Sequence, residues 1–518
     1  MTTPVVRDRG PGPRRTGVGA GTVVGVCLLI SSCGHGGSRV VSDHNSTTGG
    51  GPKPSVPRDA YTGNQYRNPG VNAFVESSVD PMSAFAADVD TGSYTVARKY
   101  VADGNRPHPD SVRVEEYVNY FDQGYAAPAT GTFALHADGA PSPFVQDAVH
   151  NRVVRLGVRA KDVTDTTRRN ASLTFVVDTS GSMEQGGRLE LVKQSLRMLV
   201  DELGTGDRVA IVAFGDNSTV VLASTPASDR RAILDGIDRL RIGGSTNAEA
   251  GLRTGYTTAQ TGYMPGGTNR VILASDGVAN VGTTGADALA SQVRAAAAKG
   301  IQLVTLGVGM GNYNDVLMEQ LADKGDGFYA YIDSLGEAQR LFRERLMTTI
   351  EPVALDANIG VVWDKDKVVR YRLLGFENRS IPDMQVNAPA VDGGEVNAGH
   401  TVTALYEISL APGAVLAPDQ QIGMFGIRWV DPQTKALDGL MHPVTAGDLA
   451  PSWEAASPRL RLDATVAQYA DVLRNNPYAS RFTLTDVARI SDGLPRELPQ
   501  DPDVAEFADL VRRASGSY

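Results

Sequence analysis

Between residues 169 and 350 the hydrophobic positions switch repeatedly between two periods. Leu173-Thr174-Phe175-Val176-Val177 is a short, nearly unbroken apolar run, which a parallel strand covered on both faces requires. Leu189, Val192, Leu196, Leu199 and Leu203 then recur at helical spacing. The same test predicts strands at Val209 to Phe214, Val271 to Ala274 and Leu303 to Leu306. Helices are expected at about 229–240, 248–258, 286–299 and 314–323. Alternation of this kind predicts an α/β fold, a doubly wound and mostly parallel sheet with helices on both faces.

The flanks differ. Residues 73–125 predict a small helical region, with Thr91-Gly92-Ser93 as a cap for a helix through Val96, Tyr100 and Val101 and a second helix over Val114 to Phe121. Residues 126–168 turn to a β pattern, as in Arg152-Val153-Val154-Arg155-Leu156-Gly157-Val158. Residues 351–450 are β again, as in Thr401-Val402-Thr403-Ala404-Leu405-Tyr406-Glu407, and 451–518 are mostly helical. The α/β unit is therefore flanked by, or inserted between, two β segments that could share one β-sandwich.

Composition adds where the chain works. At 518 residues it is too long for one core. Its formal net charge of −10, with no Lys/Arg cluster in the body, excludes a nucleic-acid partner. Residues 1–32 read as a signal peptide: Arg7, Arg9, Arg14 and Arg15 precede a short apolar stretch from Val18 to Ile30. The stretch ends at Ser31-Ser32-Cys33-Gly34, which resembles a bacterial lipobox, so Cys33 is the expected lipidation site. Cleavage removes four Arg and one Asp and leaves −10 − 3 = −13. It also removes Cys27, so the mature chain is expected to have neither a disulfide nor a free thiol. Residues 33–72 are rich in Gly, Ser, Thr, Pro and Asn and read as a flexible tether. The expected location is the extracytoplasmic face of the cell membrane, held by a lipid.

Three loops carry the chemistry. Asp178-Thr179-Ser180-Gly181-Ser182 follows the first strand, Gly243-Gly244-Ser245-Thr246-Asn247 precedes a helix, and Ser275-Asp276-Gly277 follows another strand. In an open α/β sheet, ligands bind beyond the carboxyl ends of the strands. Asp178, Ser180, Ser182, Thr246 and Asp276 all offer hard oxygens, suited to Mg²⁺, Mn²⁺ or Ca²⁺ rather than to Zn²⁺. This set resembles the metal-ion-dependent adhesion site of von Willebrand factor type A domains. The resemblance implies Asp178, Ser180 and Ser182 as first-loop ligands, Thr246 as the second-loop ligand and Asp276 as the third. It also implies a protein partner that completes the coordination with an acidic side chain.

Other segments are similar to one bacterial subgroup of surface lipoproteins: Asp88-Val89-Asp90-Thr91-Gly92-Ser93-Tyr94, Arg113-Val114-Glu115-Glu116-Tyr117, Gly309 to Asp315, Gly375 to Arg379 and Gly399 to Glu407. That subgroup implies an N-terminal companion region and a helical C-terminal region around the type A domain, which spans 169–350.

Competing motifs are weaker. Asp88-Val89-Asp90-Thr91 resembles the first motif of haloacid-dehalogenase-type phosphatases, but a short helical region follows where a doubly wound domain is needed. Asp90-Thr91-Gly92 resembles half of an aspartic-protease pair, and no second copy exists. Gly307-Val308-Gly309-Met310-Gly311 lacks the last glycine of a dinucleotide fingerprint, so no small-molecule cofactor is expected. The expectation is a non-enzymatic, metal-ion-dependent binding module for adhesion or assembly. A metal that only staples loops in a structural lipoprotein is the alternative, and a phosphatase-type hydrolase the remote one.

Overall fold

A computed structural model describes residues 61–87, 89–144, 150–163, 168–277, 286–344, 351–381 and 393–516. The expected signal peptide, Cys33, the expected tether up to residue 60 and Asp88 lie outside the described residues. The last part of the stretch read as a tether is instead folded: Tyr61 and Tyr66 pack their rings against the core that holds Tyr100 and Tyr313, and the Gln65 N–H donates to the Tyr313 carbonyl at 2.8 Å.

The N-terminal region opens with strands β1 (Val75–Glu76) and β2 (Met82–Ala86), then helices α1 (Gly92–Ala102) and α2 (Val114–Tyr120). Thr91 does not cap α1 through its side chain. The buried Glu116 carboxylate takes the Ser93 N–H at 2.8 Å instead, so a group from α2 serves the orphan amide of α1. Strands β3 (Phe133–Ala140) and β4 (Asn151–Ala160) follow as an antiparallel pair.

The central unit runs β5 (Ala171–Asp178), α3 (Arg188–Asp201), β6 (Arg208–Phe214), β7 (Ser218–Pro226), α4 (Arg230–Asp238), α5 (Ala248–Thr261) and β8 (Thr268–Ser275). It continues with α6 (Ala286–Ala297), β9 (Ile301–Val308), α7 (Asp315–Lys324) and β10 (Tyr329–Ile332). These strands form one six-stranded sheet in the order β10-β9-β8-β5-β6-β7. All neighbours are parallel except the hairpin β6–β7. Every residue of β5 and β8 is buried, because helices cover both faces. One face buries Phe175, Leu196 and Ile272, the other Val176, Leu252 and Leu273. The fold is thus the doubly wound α/β type.

The remaining strands are β11 (Pro352–Trp363), β12 (Val368–Leu374), β13 (Val396–Asn397), β14 (Thr401–Leu410), β15 (Gln421–Val430) and β16 (Leu437–Thr445). One sheet runs β1-β12-β14-β4-β3; the other holds β13-β11-β15-β16, with β2 also paired to β11. Both sheets bury one common core that includes Leu156, Trp363, Tyr406, Phe425 and Trp429. The rings of Trp363 and Tyr406 meet edge to face at 5.5 Å across it. The two flanks of the α/β unit therefore build one sandwich, and the region read as helical supplies it with two short strands.

The C-terminal helices α9 (Pro458–Leu473), α10 (Leu484–Ser491), α11 (Leu494–Glu497) and α12 (Pro502–Gly516) come after a short helix α8 (Leu335–Gln339) in the central unit. They share a core with α1 and α2 through Tyr94, Phe121, Tyr469 and Phe507. The opposite side of α1 buries Val96 and Tyr100 against the central sheet, and Thr95 donates to the Tyr331 carbonyl of β10 at 2.9 Å. No helix among the described residues is long and apolar enough to cross a membrane.

Candidate metal centre

The site lies at the carboxyl ends of β5 and β8, the two central strands. Asp178 ends β5 and is fully buried. Its Oδ1 accepts the Ser180 N–H at 2.9 Å, and its Oδ2 accepts the Ser275 hydroxyl at 2.6 Å. Burial pushes its carboxyl up to about 6, against the pull of those hydrogen bonds. Among the described residues no Lys, Arg or His pairs with it. A buried carboxylate without a counter-charge is costly, and such groups ordinarily meet a cation or take up a proton.

From Asp178 the hydroxyls form a chain. Ser180 Oγ and Ser182 Oγ lie 3.1 Å apart, and Ser182 donates to Asp276 Oδ1 at 3.0 Å. Asp276 directly follows β8 and is buried. The structure thus links Asp178, Ser180, Ser182 and Asp276 through hydrogen bonds.

Thr246 makes no hydrogen bond through its side chain to any of these four among the described residues. Its loop is nonetheless docked on the first loop by backbone: Gly243 N–H donates to Thr179 O at 2.7 Å and Gly181 N–H to Gly244 O at 3.1 Å. Asp216 braces the same loop by accepting the Ser245 N–H at 2.8 Å and hydroxyl at 2.7 Å, which holds its exposed carboxyl below the usual range. Gly244 sits at φ +84°, and a Cβ there would fall 2.7 Å from the Asp216 nitrogen. The turn therefore needs glycine. Half-buried Thr246 has a hydroxyl with no hydrogen-bond partner among the described residues.

Three contributors were missed in the sequence. Ser275 stands beside Asp276 in the quoted motif, yet its hydroxyl serves Asp178. Asp216 lies on the β6–β7 turn. Arg188, the first residue of α3, donates to Asp276 Oδ2 at 2.5 Å. A cation at a helix start opposes the dipole, and that was its available signal.

Asp90 has a different environment. It accepts the Tyr329 N–H and pairs with Arg379, both at 2.8 Å. One oxygen each of Asp90, Glu116 and Glu319 lies within 4.8 Å of the others, all three residues buried. Arg113 pairs with Glu116 and, at 2.6 Å, with Asp315, so guanidinium groups already answer this cluster. It joins α1, α2, α7 and the β12–β13 connection.

Comparisons with known proteins identify the families to which this chain is similar. Residues 172–344 match the von Willebrand factor type A domain family, 60–153 the family described as von Willebrand factor, and 348–516 that of the uncharacterized protein YfbK, C-terminal. The uncharacterized protein YfbK of Escherichia coli (strain K12) is 34% identical over 468 residues, 86% of this chain and 80% of that one. Inter-alpha-trypsin inhibitor heavy chain H2 of Mus musculus is 25% identical over 185 residues, 33% of this chain and 19% of that one. A von Willebrand factor type A structure from Catenulispora acidiphila aligns at a TM-score of 0.43 and 16% identity, covering 73% of this chain and 89% of that one. The matched module is a binding domain rather than an enzyme, and such domains commonly hold a divalent ion. By its match along most of both chains, this protein belongs to the YfbK family, built around a von Willebrand factor type A domain.

Proposed function

We propose that this chain is a lipid-anchored protein on the extracytoplasmic face of the cell membrane that binds a partner protein through a divalent ion. Asp178, Ser180, Ser182, Thr246 and Asp276 would hold Mg²⁺, or Mn²⁺ or Ca²⁺ in its place. The donor set is all hard oxygen, which fits these ions. The observation that carries this function is Asp178, fully buried and without a cationic partner among the described residues. A bound ion would supply a Lewis-acidic position that an Asp or Glu of the partner completes. The chain's own part is to hold the hydroxyls in place. Ser275 and the Ser180 amide orient Asp178, and the Thr179–Gly243 and Gly181–Gly244 bonds keep the second loop against the first. Cys33 would carry the lipid, and the stretch that follows it up to residue 60 would hold the folded part away from the membrane, since Tyr61 to Asn72 packs on the folded part itself.

Glu184 is exposed on the first loop and suits a photoreactive amino acid. Crosslinking in envelope fractions is expected to capture a partner with Mg²⁺ and to lose it with EDTA or with Asp178→Ala. Equal capture under all three conditions would contradict a metal-dependent grip.

A further inference from the structure

Arg188 is held as firmly as a core side chain although it begins a helix at the molecular surface. Its Nη1 donates to Asp276 Oδ2 at 2.5 Å and to the Ser182 carbonyl at 3.3 Å, and its Nη2 donates to the Met310 carbonyl at 2.5 Å. Its side chain is 13% exposed and that of Asp276 5%. Gly309 makes room for it: at φ +74°, a Cβ there would fall 2.0 Å from Arg188 Nε. The loop that presents Met310 is itself latched, because Asn64 Oδ1 accepts the N–H groups of Gly311 at 2.9 Å and Tyr313 at 3.0 Å. A guanidinium with three fixed acceptors, placed against the helix dipole, is bound to Asp276 by design of the fold rather than by chance contact.

We propose, resting on the metal-binding function above, that Arg188 is a positioning residue that sets the charge of the metal centre and so makes the loaded site demand an anionic partner. Counted over the ligand carboxylates and the guanidinium bonded to them, Asp178, Asp276 and Arg188 sum to −1 − 1 + 1 = −1. A divalent ion leaves that set at +1. Without Arg188 the same ion would be neutralised by Asp178 and Asp276 alone. The like charge of Arg188 weakens the ion's hold in the free chain, and the residual positive charge attracts a carboxylate. Arg188 also occupies Asp276 Oδ2, so Asp276 meets the site with one oxygen already committed to Arg188 and the other to Ser182.

The test is calorimetric titration of the whole chain with Mn²⁺, with and without acetate, in the wild type, Arg188→Gln and Arg188→Lys. Arg188→Gln is expected to bind Mn²⁺ about tenfold tighter, the scale of one like charge removed near the ion. Acetate is expected to strengthen Mn²⁺ binding in the wild type and to do little in Arg188→Gln. Arg188→Lys keeps the charge but not the fork that reaches both Asp276 and the Met310 carbonyl, and is expected to bind Mn²⁺ with an affinity nearer the wild type than Arg188→Gln. Wild-type and Arg188→Gln affinities that coincide, or equal changes in the Gln and Lys variants, would overturn the role of Arg188 while leaving the metal site standing. Absence of binding in all three would overturn the metal site and this role with it. Circular dichroism of each variant checks that the titrated chain is folded.

Discussion

Ser275 gives its hydroxyl to Asp178 at 2.6 Å across two adjacent parallel strands, in a position where Asp178 is fully buried. The bond orients the carboxylate that a metal ion would meet first. Removing such an outer hydrogen bond typically costs about 10- to 100-fold in metal affinity. Ser275→Ala is therefore expected to weaken Mg²⁺ binding by that factor, measured by calorimetry.

Burial raises the Asp178 carboxyl to about 6, above the ordinary carboxylate range. In the metal-free chain the folded state then binds more protons than the unfolded state between about pH 4 and pH 6. Stability from this group is present below that window and is lost as pH rises through it, by about 3 kcal/mol in all. Asp178→Asn is expected to flatten this slope and to raise the metal-free melting temperature at pH 7. Metal affinity is expected to fall below about pH 6, where the ion competes with a proton. Thermal melts at pH 5 and 7, with and without EDTA, check both.

Gly244→Ala places a Cβ where Asp216 approaches and forces a left-handed backbone on alanine. Cost there is about 1–2 kcal/mol. Because the second loop carries Thr246, the variant is expected to lose metal affinity by more than its small drop in melting temperature suggests. Calorimetry beside thermal melting compares the two.

Asp90 pairs with Arg379 at 2.8 Å in a buried network that joins the N-terminal helices to the central unit. Asp90→Asn leaves Arg379 without that partner carboxylate and is expected to destabilise the fold by about 3–5 kcal/mol. Metal binding at pH 7 is expected to remain. A variant that keeps its stability and loses metal binding would place Asp90 in the functional site instead.

Cys33→Ser removes the thiol to which a lipid would be attached. The variant is expected to leave the membrane fraction and appear in the soluble envelope fraction. Fractionation with immunodetection measures it.

The alternating centre was legible because β5 and β8 are buried on both faces and so print as apolar runs, and because α3 shows its core face at helical spacing. The β6–β7 hairpin was not: β7 is an edge strand with mixed exposure, so Ser218 to Pro226 shows no clean period. Strands β1 and β2 pair with β12 and β11, some three hundred residues away, and non-local pairing leaves no local pattern. At the candidate site four of the five oxygen-bearing residues follow strand ends and Thr246 stands just before α5, all in short motifs whose spacing is visible. Arg188 and Asp216 act through contacts between loops, and nothing in their neighbours' identities specifies a partner 88 or 29 positions away.

The proposed function stands on a divalent ion held at Asp178. Calorimetric titration of the chelator-treated whole chain with Mg²⁺, then Mn²⁺ and Ca²⁺, tests it most directly, beside Asp178→Ala. A one-site isotherm in the wild type that vanishes in the folded variant is the result predicted here. An isotherm of the same affinity in Asp178→Ala, or no binding of any of the three ions by the wild type even with acetate present, would contradict it.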